Sequence, residues 1–363
     1  MSSRTYKPET TNRKPETIFT PSPEGGMIQE AIRKAVEGTD LSRAEARSAM
    51  ESIMNGEATD AQIAGFLVAM RRKGETIGEI AAFTGVMREK ATRIEAGKPD
   101  VLDTCGTGGD GAGTFNISTI SAFVAAGAGI TVAKHGNRSV SSKCGSADVL
   151  RELGVNIDIE PERISRCLQT VGIAFLFAPK LHASMKYAIG PRRELGIRTF
   201  FNILGPMTNP AGARRQLMGV YSGDLVETVA GVLADLGCVR GFVVHGRDGL
   251  DEISTTDITD VAEIVDGAVT MKTVDPDDFG IERAAPGDLS VESVEENAGV
   301  FSFVLSGEHC PARDIVLLNS AFAIFAGGAA ESPEDGFRLA EQSIDSGAAM
   351  NKFEALKQFT TGE

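Results

Sequence analysis

Between residues 27 and 97, apolar residues recur three and four positions apart, as in Ile63, Phe66, Leu67 and Met70. That is the spacing of a buried helical face. Three S/T-x-x-E/Q signatures predict helix starts: Ser42 with Glu45, Thr59 with Gln62, and Thr76 with Glu79. Gly56, Gly74 and Gly97 stand where such helices should stop. The pattern predicts about four short helices. A unit this small often needs a partner surface to bury its faces, so it reads as scaffold or dimer interface.

At Val101 the pattern changes. Residues 101–104 read as a short buried strand, followed by a glycine-dense stretch and a small-residue helix from about 119 to 128. Residues 130–133 read as a second strand running into a polar loop, and 146–153 as a helix closed by Gly154. Pro161 suits the first turn of a helix, so helices are expected to return between about 161 and 190. GFVVH at 241–245 is a further buried strand, 269–274 is strand-like, and 314–325 and 337–344 read as helices. Alternating strands and helices predict an α/β domain with a mostly parallel sheet flanked by helices. The expected organisation is an extension at 1–26 and a small all-helical domain at 27–97, with helices returning from about 161 to 192. A large α/β domain would then comprise 98–160 and 193–363. No internal repeat is visible.

Composition narrows the class. Of 363 residues, 41 are glycine, and the formal net charge is -14. Hydrophobic residues make up 42%, enough for a core and against overall disorder. The longest nearly uncharged apolar stretch, 123–133, falls short of the roughly 20 residues a membrane span needs. The acidic balance argues against a generic nucleic-acid coat. Cys105, Cys144, Cys167, Cys238 and Cys310 form no CxxC pair, which suits reduced thiols in the cytoplasm. Residues 1–26 hold four prolines and seven charges without an apolar core, unlike a secretory signal.

The glycine is concentrated. Ten of the 52 residues from 103 to 154 are Gly, five of them between 106 and 113. GTGGDG at 106–111 follows a strand and matches G-x-G-x-x-G literally. A dinucleotide fold would place an acid about 20 residues on. Here the second strand runs into Lys134-His135, and no Gly-Lys-Ser/Thr marks a P-loop. A structural glycine turn is the plainer alternative. A different phosphate cradle is favoured, with Thr114, Asn116, Ser118 and Thr119 adding donors at a helix N-terminus.

Three other constellations stand out. Residues 130–146 contain no acid in an acidic chain, and KHGNRSVSSK at 134–143 combines cations with hydroxyl and amide groups. His135 there reads as a hydrogen-bonding turn residue, not a base. Asp251-Glu252 follows a strand and a Gly-rich turn, and adjacent carboxylates beside a phosphate site are hard ligands for Mg²⁺. Against that, 248–266 carries seven acids and no bases, so an acidic surface turn is the bland reading. PRRELGIR at 191–198, followed by NILGPMTNP at 202–210, offers arginines able to fork an organic carboxylate, or else a simple helix-end charge cluster.

Together, GTGGDG, NIST, KHGNRSVSS with GSAD, RRELGIRTFFNILGPMTNP and DGLDEIS closely resemble the anthranilate phosphoribosyltransferase family, in its order, from about residue 27 onward. Met207, where that family commonly has Leu, is a minor departure. The resemblance implies transfer of phosphoribosyl from phosphoribosyl pyrophosphate (PRPP) to the amine of anthranilate, in tryptophan biosynthesis. It implies Mg²⁺, two ions per subunit, and a homodimer through the helical domain, with no nucleic-acid or membrane partner. It assigns donor binding to Gly106, Gly109, Asp110, Thr114, Asn116, Ile117, Ser118 and Thr119. The same role falls to Lys134, His135, Gly136, Asn137, Arg138, Ser139, Val140, Ser141, Ser142 and Ser146. Ser118, Asp251 and Glu252 would hold the metal, and Asn137 and Arg192 would contact anthranilate, with Gly106 against both substrates. No residue is assigned as a general base. The rivals are a pyrimidine nucleoside phosphorylase of the same architecture and a non-enzymatic nucleic-acid-binding relative.

Overall fold

The computed structural model describes residues 26–138 and 144–362. Helices α1 (Met27–Val36), α2 (Arg43–Met54), α3 (Asp60–Lys73) and α4 (Ile77–Lys90) come first. All three expected capping boxes form, at Ser42, Thr59 and Thr76. The α/β part follows as β1 (Leu102–Asp103), α5 (Ile117–Gly127), β2 (Val132–Gly136), α6 (Ser146–Glu152), α7 (Pro161–Thr170) and β3 (Ile173–Phe177). Next come α8 (Ala178–Leu181), α9 (Lys186–Leu195), α10 (Phe201–Leu204), β4 (Arg215–Gly219), α11 (Val226–Asp235) and β5 (Arg240–Gly246). The chain continues with β6 (Thr259–Val265), β7 (Ala268–Val274), α12 (Val294–Leu305), α13 (Pro311–Gly327), α14 (Pro333–Asp345) and α15 (Ala348–Thr361).

The strands form one sheet in the order β3-β2-β1-β4-β5-β6-β7. β1 to β5 are parallel, and β6 and β7 add an antiparallel edge. One face packs on α5 and α13 through Phe123, Phe242 and Val244. The other face, through Met218, Val243 and Ile264, shares a core with α11 and with α1–α4. Phe200, just before α10, stacks on Phe83 of α4 at 4.5 Å and meets Phe66 of α3 edge-on at 6.0 Å. Such ring pairs contribute about 0.5–1.5 kcal/mol each beyond area burial. They tie the segment carrying Arg192 and Arg198 to the helical bundle.

Two expectations shift. The second strand runs to Gly136, so Lys134, His135 and Gly136 lie in β2 and not in a polar loop. They register against Phe175, Leu176 and Phe177 of β3. A lysine is tolerated there because its ammonium has local oxygen partners. Within the stretch expected to be helical, IAFLF forms β3. A five-residue apolar run has no period by which a buried strand is told from a helix.

Candidate active site

β1 lies between β2 and β4, where the strand order reverses, and loops from the carboxyl ends of neighbouring strands meet there. Such a switch point is where open α/β sheets bind ligands. The glycine loop after β1 is pinned to the ends of β4 and β5. Thr107 N–H donates to Gly219 O at 2.9 Å, and its hydroxyl accepts Tyr221 N–H at 3.0 Å. Gly108 N–H donates to Asp251 Oδ2 at 2.7 Å. Gly108, Gly109, Gly111 and Gly113 all have φ between 63° and 83°, the left-handed region that side chains disfavour. Beyond the loop, Gly113 O accepts Val291 N–H at 3.0 Å, and Thr114 bridges to Ser290.

α5 then opens beneath the carboxylates. Ser118 N–H donates to Glu252 Oε1 at 3.2 Å, so an acid already sits at the helix N-terminus. Lys134 is 3% exposed and donates to Thr104 O, Thr104 Oγ1 and Ser118 Oγ at 3.2–3.3 Å. Burial, with the Asp110 carboxylate alongside, raises Asp251 to about 7. Burial and the Asp251 charge push Glu252 well above the usual carboxylate range. The carboxylates and the Ser118 hydroxyl form a half-buried set of hard oxygens with a surplus of negative charge, and this fits a divalent cation. Among the described residues, no three His, Cys, Asp or Glu side chains group closely enough to hold a metal. Mg²⁺ is commonly held by one or two carboxylates, with substrate oxygens completing the shell.

Other expected residues divide by position. Asp110 and Gly109 belong to the loop, and Arg198 Nη2 donates to Gly109 O at 2.5 Å while its guanidinium lies 4.2 Å from the Tyr221 ring centroid. Ile117 is buried, and its N–H is bonded to Phe115 O. Thr119, in the first turn of α5, is buried without a partner for its hydroxyl. Gly136 is hemmed in, since a Cβ there would stand 2.5 Å from Phe175 and 2.6 Å from Ser146. Asn137 and Arg138 are exposed, and the Asn137 carbonyl accepts Ser146 Oγ–H at 3.4 Å. Ser139, Val140, Ser141 and Ser142 lie outside the described residues.

His135 is buried below the cleft. Its Nδ1 bonds Gly205 O at 3.1 Å and its Nε2 lies 3.2 Å from His182 Nε2. Burial, with His182 adding to it, depresses its pKa to about 3, so it is a neutral structural group. Asp103 staples this floor. It accepts His135 N–H, Cys105 N–H and the Asn209 amide, and burial raises it to about 6. Arg192 is half-buried, 5.0 Å from the Phe201 ring centroid, and burial lowers its pKa; Arg193 is exposed. Gly219 and Asn297 were not singled out from sequence, and Arg198 was noted only within the arginine-rich 191–198 segment, not as a partner of the glycine loop. Asn297 lies on α12 and pairs with Asn116. A separate cleft of about 670 Å³ lies at the opposite end of the sheet, lined by Arg88, Ile94, Lys98 and Gly212, and gathers no comparable chemistry.

Comparison with known proteins finds relatives over most of the chain. The model "Glycosyl transferase family, helical bundle domain" matches residues 29–91, and "Glycosyl transferase family, a/b domain" matches 98–350. The anthranilate phosphoribosyltransferase of Moorella thermoacetica is 56% identical over 330 residues, covering 91% of this chain and 97% of the relative. The crystal structure of the Thermus thermophilus enzyme superposes with a TM-score of 0.87 at 40% identity, covering 91% of this chain and 99% of that one. The Saccharomyces cerevisiae enzyme in complex with PRPP and Mg gives a TM-score of 0.85 at 27% identity, covering 93% and 98%. In complex with 4-fluoroanthranilate it gives 0.83, also at 27% identity and with the same coverage.

Proposed function

This chain belongs to the anthranilate phosphoribosyltransferase family, and from that premise we propose that it transfers phosphoribosyl from PRPP to the amine of anthranilate, releasing pyrophosphate, as a step of tryptophan biosynthesis. The observation that carries the reading is the meeting of the glycine loop, the Asp251–Glu252 pair and Lys134 at the sheet's switch point.

The donor loses a polyanionic leaving group, so charge stabilisation around that group is the main demand on the protein. Mg²⁺ held by Ser118, Asp251 and Glu252, two ions per subunit, supplies positive charge to the pyrophosphate when bound. Lys134 adds a fixed ammonium, and the glycine loop adds N–H groups. The loop's left-handed residues aim its amides without side chains intervening. Arg192, held over Phe201, is a fork for the anthranilate carboxylate. Asn137, exposed after β2, is the second anthranilate contact. The arylamine is neutral at pH 7, so its lone pair needs no base to attack the anomeric carbon. The neutral, buried state of His135 and His182 agrees with that. The protein then works by positioning and by excluding water.

Exposed Met27, Val36 and Val68 give α1 and α3 apolar surface that a second copy would cover, in keeping with a homodimer through the helical domain. Among the described residues no helix is long and apolar enough to cross a membrane. The test is loss of anthranilate fluorescence on adding the protein, PRPP and Mg²⁺. No loss with all three present refutes the reading.

A further inference from the structure

We propose that Asn297 of α12 decides which face of the Asn116 amide meets the phosphoribosyl donor, and is therefore a positioning residue for donor binding. The inference deepens the function proposed above and rests on it.

The polarity follows from a backbone group whose role cannot be reversed. Asn116 N–H is a donor only, and Asn297 Oδ1 accepts it at 3.2 Å. That bond fixes which end of the Asn297 amide is oxygen. Its Nδ2 then faces the Asn116 side chain and donates to Asn116 Oδ1 at 2.9 Å. Asn116 must turn its own Nδ2 away from Asn297. As the N-cap residue of α5, Asn116 would ordinarily use its side-chain oxygen to accept from the first helical turn. No such cap bond forms, because Asn297 holds that oxygen. The amide is thus presented donor-first at a helix N-terminus, one residue from Ile117 and two from Ser118, which is the polarity a phosphate oxygen requires.

Packing enforces the arrangement, since Asn297 is 1% exposed. Its amide also hydrogen-bonds Cys144, in the connection between β2 and α6. One buried amide therefore joins the segment after β1 to the segment after β2, and both carry expected donor contacts.

Asp is nearly isosteric with Asn, but both of its outer atoms accept. In Asn297→Asp one oxygen still takes Asn116 N–H, and the other draws Asn116 Nδ2 inward. Asn116 Oδ1 then faces the phosphate. Steady-state kinetics should show the donor KM raised about 10- to 100-fold with the anthranilate KM unmoved. Repulsion between the new carboxylate and the donor would mimic part of this, and a double-mutant cycle separates the two. With Asn116→Ala there is no amide to turn, so only the repulsion remains, and Asn297→Asp should raise the donor KM much less in the Asn116→Ala background than in the wild type. An equal effect in the two backgrounds, or an unchanged donor KM in Asn297→Asp, overturns the inference. If Asn297→Asp does not fold, Asn297→Ala frees Asn116, and the donor KM should rise about threefold relative to the anthranilate KM. An unchanged ratio of the two KM values overturns it there. A wild-type protein that consumes no anthranilate refutes the underlying function instead.

Discussion

Gly219 ends β4 directly against the backbone of Asp251, whose carbonyl oxygen occupies the place where a Cβ on residue 219 would stand. The same glycine accepts Thr107 N–H, and its carbonyl lies 3.0 Å from the Cβ position of Gly106. Glycine loop and acidic turn are therefore set by one close approach of backbone. Gly219→Ala should force the turn away, at a stability cost of about 1–3 kcal/mol. Activity should fall further than stability, because the displaced residue carries an expected metal ligand. Thermal melting beside turnover of the folded fraction checks this, and activity that merely tracks the folded fraction contradicts it.

The carboxylate pair is expected to act through charge. Asp251→Asn with Glu252→Gln preserves shape and removes both negative charges. Turnover at saturating Mg²⁺ should fall about 100-fold or more. Calorimetric titration with Mg²⁺ and pyrophosphate should show the paired loss of metal binding. Unchanged turnover removes the metal role from these residues.

Arg192 and Arg193 differ in setting, since Arg192 is half-buried over Phe201 and Arg193 is exposed. Arg192→Ala should raise the anthranilate KM about 10- to 100-fold and leave the donor KM nearly unchanged. Arg193→Ala should change neither. Equal effects of Arg192→Ala on the two KM values would contradict a carboxylate contact.

The buried imidazoles make stability fall in acid. Burial depresses His182 to about 4 and, with His182 beside it, His135 to about 3. The unfolded chain therefore binds more protons than the folded one between about pH 4 and 6.5. The stability is fully present above that window and is lost as pH falls through it. Asp103, raised to about 6, has the opposite sign, so a comparison of variants is needed. Gln at 182 keeps a donor for His135 Nε2 but cannot be protonated. His182→Gln should lose up to about 3 kcal/mol less than the wild type between pH 6.5 and 4, read from urea unfolding. Parallel pH profiles contradict the buried neutral pair.

Much of the site was legible because its chemistry is local. Four glycines of the loop take left-handed φ, a demand that marks the sequence directly. Asp251-Glu252 stood out as adjacent acids after a strand, and the three capping boxes declared their helices. Lys134 and His135 were recognised as important but misplaced, because their burial depends on partners elsewhere. Thr104 and Ser118 satisfy the lysine, and His182 and Gly205 satisfy the histidine. Asn297 lies 181 residues from Asn116, and Arg198 lies 89 from Gly109. An ordinary Asn carries no sign of a contact that only the folded sheet creates, and the 191–198 arginines suggested a carboxylate fork rather than a bond to the glycine loop.

Transfer of phosphoribosyl from PRPP to anthranilate fixes a stoichiometry between the two substrates. The most direct measurement follows pyrophosphate release and anthranilate consumption together, in the presence of Mg²⁺. The expected result is one pyrophosphate per anthranilate consumed, with neither change when PRPP or anthranilate is omitted, and no thymine released from thymidine and phosphate. Pyrophosphate release that ignores anthranilate, or thymidine cleavage in its place, would contradict it.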